Sequence, residues 1–141
     1  MTDHTRRAVE ADLRQYPKMK EAMRMAEAEA ALEASTGNRD LERVQGGKRQ
    51  SMLAVVAKYQ KALHDEYHRM RRVAEAIEAV YGELSPILRR VMGLYYWRGM
   101  SHHQLARTLY VDESTAHRYR RQIVEKVWAA FKARGVATYE D

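Results

Sequence analysis

Between Asp112 and Gln122 the chain reads DESTAHRYRRQ, placing Ser114, Thr115, His117, Arg118, Arg120 and Arg121 within about three helical turns. Guanidinium groups grip phosphate oxygens or guanine edges in pairs of hydrogen bonds, and hydroxyl and imidazole groups bond to either. The chemistry implied is binding to a polyanion rather than making or breaking bonds. With about 100° per residue and Ala116 as origin, Ile123, Val127, Ala130 and Tyr119 fall within about 60° of it. Ser114, Arg118, Arg121 and Glu125 lie opposite, flanked by His117. Arg120 falls about 40° from Ala116, on the apolar side, where it snorkels or pairs with an acid rather than reading a base. Trp128 lies near the polar side, as an indole available for packing.

The bulk charge is distributed in the same sense. Met1 to Leu84 holds 15 basic and 14 acidic residues, whereas Ser85 to Asp141 holds 10 basic and 5 acidic. The excess positive charge belongs to the last 57 residues, the segment that contains the arginine-rich stretch. There is no cysteine, so neither a disulfide framework nor a thiolate metal site is available, and a reducing cytoplasm is expected. No apolar run reaches membrane-spanning length, and MTDHTRRAVEADLRQYP lacks the apolar core of a signal peptide.

The elements that must position these residues read as all-α. Two prolines against abundant Ala, Glu, Arg and Met favour helix, and no sustained alternation suggests a strand. Residues 1–34 form an N-terminal helical region with an apolar face at Val9, Leu13, Tyr16, Met19, Met23, Ala26 and Ala30. Pro17 is expected to divide it. Residues 35–49, containing Gly46-Gly47, read as a linker. Residues 50–84 read as a long helix whose seam, Met52, Val56, Tyr59, Leu63, Glu66, Met70, Val73, Ile77, Val80 and Leu84, alternates steps of four and three. Two packings fit that seam: onto the N-terminal helices of the same chain, or onto a second copy in a homodimer. Ser85-Pro86 caps and starts a helix that ends near Gly99. Ser101 caps the next helix, with Gln104 completing a capping box, and Asp112 caps the last, from Glu113 to about Arg134. A short helix, a tight turn and a longer helix make a helix-turn-helix, so residues 85–141 are expected to bind DNA.

Residues Leu84 to Trp128 resemble the helix-turn-helix of sigma-factor region 4. Through the LYYW ending, the Ser-x-x-x-Leu-Ala helix, STAHRYRRQIVEKV and the upstream ADLRQYPKMKEAM, the chain resembles the phage RinA/ArpU family of late-operon transcriptional activators more closely. The resemblance implies sequence-specific binding to double-stranded phage promoter DNA and activation of late genes, including packaging genes, in the host bacterial cytoplasm. It also implies a contact with RNA polymerase. Carried over by position, Glu113, Ser114, His117 and Arg118 face bases, and Thr115 and Arg121 contact phosphates. The turn position usually held by Gly is Tyr110 here, so either Tyr110 is strained or the turn is reshaped.

Competing chemistry is weaker. His64 and His68 in HDEYH are one helical turn apart, but Asp65 stands where a zinc-protease helix has Glu, and no third ligand is evident. His102 and His103 are adjacent and point about 100° apart, so they do not chelate as a local pair. GGKRQS has Arg49 where a phosphate-binding loop has Ser or Thr. No nucleophile–base set is visible, so no catalysis, metal or cofactor is expected. Other functions compatible with the pattern are a small terminase subunit recognising packaging-site DNA and a helical interaction module.

Overall fold

The computed structural model describes residues 1–36 and 46–136, with side chains described except at 34–36, 46–60 and 62. The protein is all-α, and no strand occurs among the described residues. In chain order the elements are α1 (Asp3–Thr36), α2 (Gly46–Glu83), α3 (Pro86–Val91), a π-helical segment (Met92–Trp97), α4 (His102–Leu109) and α5 (Glu113–Ala133). Contacts divide the chain into two compact units, Met1–Met19 with Arg72–Asp141, and Lys20–Arg71. The unit boundaries therefore fall inside α1 and α2.

Pro17 does not divide the N-terminal region: α1 runs through it without a break. Proline has no N–H to give the carbonyl four residues back, here that of Leu13. The Trp97 indole Nε1 donates to the Leu13 carbonyl oxygen at 3.1 Å, so the acceptor that Pro17 leaves open is filled from another element. Tyr16 stacks on the Trp97 ring with centroids 5.4 Å apart, and Tyr81 tilts against it at 5.7 Å. The expected linker is also shorter than its polar composition suggests. Gly46 to Arg49 form the first turn of α2, and 37–45 lie outside the described residues.

The core of the first unit gathers Val9 and Leu13 of α1, Val73, Ile77 and Val80 of α2, and Ile123, Val127 and Phe131 of α5. The seam of the long helix thus divides. Val73, Ile77, Val80 and Leu84 are buried within their own chain, whereas Leu63 is exposed. The side chains of Met52, Val56 and Tyr59 lie outside the described residues.

The helix expected from Ser85 to Gly99 changes character midway. Ser85 caps α3 through its Oγ, which accepts from Leu88 N at 3.4 Å. From Met92 the backbone widens, with Arg98 N donating to Gly93 O five residues back at 3.0 Å. The widened turn buries three consecutive side chains, Leu94, Tyr95 and Tyr96. Gly99, at φ 74°, then reverses the chain toward α4.

Candidate nucleic-acid interface

Two helices and the turn between them position the arginine-rich stretch. At the start of α4, Ser101 Oγ accepts from Gln104 N at 3.1 Å, and Gln104 Oε1 accepts from Ser101 N at 3.0 Å, the reciprocal capping box read from the sequence. At the start of α5, Asp112 Oδ1 accepts from Thr115 N at 2.8 Å and from Ser114 Oγ at 3.0 Å. The bonds from Thr115 and then Ser114 hold the Asp112 carboxyl below its ordinary range. Between them Tyr110 adopts φ 57° and ψ 42°, the left-handed conformation that glycine takes most easily. Val111 N closes the turn on Ala106 O at 3.0 Å. The turn therefore keeps the glycine geometry with tyrosine in it, and the tyrosine is 95% exposed.

α4 packs against α5, with Leu105, Ala106 and Leu109 buried on one helix and Ala116, Ile123, Val124, Val127 and Phe131 on the other. The apolar face of α5 is wider than the sequence reading gave, since Val124 and Phe131 belong to it, while Tyr119 and Ala130 are half-buried. On the opposite side Arg118 and Arg121 are exposed, and neither forms a salt bridge with any described residue. The Arg118 guanidinium lies 5.9 Å from the centre of the Tyr119 ring.

The other four expected contact residues have local partners or are partly covered. Glu113 is exposed, with Oε1 at 3.2 Å from His103 Nδ1 of α4. Ser114 is exposed but donates to the Asp112 cap, and Thr115 and His117 are half-buried.

What sequence reasoning missed is the side-chain network beneath this face. His117 stacks on His102 with ring centroids 3.7 Å apart, and Tyr95 meets the His102 ring edge-on at 4.7 Å. His102 Nε2 accepts from Arg120 Nη1 at 3.2 Å. Burial, then the neighbouring His117 and Arg120, push the His102 pKa down to about 4, so its ring is neutral at pH 7. Arg120 Nε lies 3.9 Å from Glu10 Oε1 of α1, a salt-bridge rather than hydrogen-bond distance. Burial disfavours the Arg120 charge, but the Tyr95 hydrogen bond and Glu10 outweigh it and hold its pKa above the ordinary value. The periodicity that turned Arg120 inward was the available signal for this network; its partner Glu10, far away in sequence, gave none.

His64 and His68 bring their Nε2 atoms to 3.0 Å on an exposed stretch of α2. Among the described residues, no group of three or more His, Cys, Asp and Glu is arranged to hold a metal ion, and no helix is long and apolar enough to cross a membrane.

These features define an all-α protein whose last helix, capped and seated on its neighbours, turns two arginines outward. The chain belongs to the family described as Protein of unknown function (DUF722), which matches residues 1–129, a span that contains all six expected contact residues. No curated protein and no solved structure matches the chain.

Proposed function

We propose that the protein is a sequence-specific double-stranded DNA-binding regulator of phage late transcription, with α4 and α5 acting as a helix-turn-helix and α5 entering the major groove. The observation that carries this is the outward pair Arg118 and Arg121, opposite the buried Ala116, Ile123 and Val127 on a helix with a capped start. A recognition helix needs that division: an apolar underside to hold its angle, and cations near its N-terminal end to meet bases and phosphates. The net positive charge of the last 57 residues supports the reading, because counterion release makes such a surface attractive to any duplex. Within it Arg118 is a base reader and Arg121 a phosphate contact, with Glu113, Ser114, Thr115 and His117 around them. Activation requires a further surface for RNA polymerase.

Duplexes selected from a random pool and titrated by fluorescence anisotropy at low salt test the reading. Arg118→Ala is expected to weaken the selected site by about 1–3 kcal/mol and to relax preference at one base pair. Arg121→Ala is expected to weaken all duplexes alike and to lower the log–log salt slope by about one. A wild-type chain that ignores duplex DNA at low ionic strength overturns the proposal.

A further inference from the structure

His64 and His68, on the α2 stretch of the second unit, bring their Nε2 atoms to 3.0 Å, with ring centroids 4.2 Å apart and planes at 83°. Both residues are exposed. Positions four apart on a helix are surface neighbours, so the local backbone alone holds the two rings on one side of α2. A hydrogen bond at this distance puts one proton between two ring nitrogens. A d-block cation fits the same place. With Zn–N bonds of about 2.0–2.1 Å, two nitrogens of one coordination shell stand roughly 2.8–3.4 Å apart for bond angles between about 90° and 110°. The observed separation falls inside that range. Binding then needs a turn of the rings and the shift of one N–H to Nδ1, but no movement of the backbone.

The surroundings favour a cation. His64 lines a groove whose charged walls are Glu27, Glu29, Glu33 and Glu66, with no lysine or arginine among its lining residues. Carboxylates gathered in this way draw cations toward the pair. Lys61, three residues before His64, and Arg71, three after His68, oppose a cation from the same side of the helix. Both are exposed, so water and salt screen them, whereas a coordinate bond is made at contact. Among the described residues no third His, Cys, Asp or Glu is arranged to join the two, so a bound ion takes its remaining positions from water. Magnesium and calcium prefer shells of oxygen, while imidazole suits zinc, copper and nickel. We infer that His64 and His68 form an exposed two-nitrogen chelate for a divalent d-block cation, one ion per chain. The two rings come within reach of one ion when the turn between them is helical, so binding clips α2 there and favours the folded chain. The inference does not depend on DNA binding.

Isothermal titration calorimetry of the full chain with zinc chloride, without DNA, tests it. One ion per chain is expected, with His64→Gln and His68→Gln each raising the dissociation constant at least about tenfold. Both residues are exposed, so helix content by circular dichroism is expected to be unchanged in either variant. If one variant loses helix, the other carries the comparison. Copper(II) in place of zinc is expected to show two nitrogen ligands by electron paramagnetic resonance in the wild type and fewer in either variant. Magnesium chloride is expected to give no binding over the same range. No zinc binding at millimolar concentration, zinc binding that survives the loss of either histidine, or magnesium bound as tightly as zinc overturns the inference.

Discussion

The continuity of α1 through Pro17 rests on an indole, and the energetics can be isolated. Pro17 leaves the carbonyl of the fully buried Leu13 without its helical donor, and Nε1 of the half-buried Trp97 supplies one at 3.1 Å. Trp97→Phe keeps an aromatic ring between Tyr16 and Tyr81 but removes the donor. An orphaned buried acceptor costs about 1–3 kcal/mol, so a loss of about 2 kcal/mol is expected. Pro17→Ala restores the backbone N–H to the same carbonyl. In the Pro17→Ala background the loss caused by Trp97→Phe is therefore expected to shrink by about 1 kcal/mol, because the acceptor no longer depends on the indole. The four proteins of this double-mutant cycle are compared by urea denaturation followed by far-ultraviolet circular dichroism. A coupling of about 1 kcal/mol is well above the roughly 0.3–0.5 kcal/mol within which independent sites add. Additive effects would refute the reasoning and leave only ring packing as the role of Trp97.

Two further outcomes follow from the turn and from the network beneath it. Tyr110→Gly relieves a left-handed residue that is 95% exposed, so nothing buried is lost; after the extra entropy of glycine, a gain of about 0.5–1 kcal/mol is expected, read as a higher Tm, and a lower Tm would mean the phenol ring holds the turn. His102 has a folded pKa of about 4 against an ordinary 6.5, so the unfolded chain takes up a proton that the folded chain refuses. Its contribution is therefore complete above about pH 6.5 and is lost as pH falls toward 4, with burial the main cause, His117, Arg120 and Arg14 reinforcing the shift and Glu113 opposing it. His102→Gln is expected to flatten stability between pH 6.5 and 5, measured by urea midpoints; an unchanged slope counts against a neutral, half-buried His102.

What was legible in the sequence was what local chemistry decides. Ser85, Ser101 and Asp112 cap helices where their side chains and the following residues indicate, because a cap is settled within four residues. The inward turn of Arg120 followed from helical periodicity alone. What was illegible depends on partners distant in the chain. Pro17 reads as a break because its missing N–H is visible and the compensating indole, 84 positions on from Leu13, is not. The π-helical segment leaves no mark in a 3.6-residue pattern, since its widened turn answers the demand to bury Leu94, Tyr95 and Tyr96 together. The stacking of His117 on His102 likewise depends on how α4 crosses α5. It covers part of a residue that the family resemblance places toward bases.

The four basic side chains at the start of α5, His117, Arg118, Arg120 and Arg121, therefore divide into two groups. His117 and Arg120 turn toward α4 and α1, where a neutral His102 accepts from Arg120 and stacks on His117, and Glu10 balances the guanidinium that burial would otherwise expel. Arg118 and Arg121 turn to solvent with no ion pair to any described residue. The separation ties the outer pair to a fixed orientation: the same helix that offers Arg118 and Arg121 is tied through Arg120 to the N-terminal helix, so their aim is set by the core and not by the turn alone. In the proposed recognition that coupling gives α1 a share, since loosening Glu10 would disturb the outer arginines without touching them.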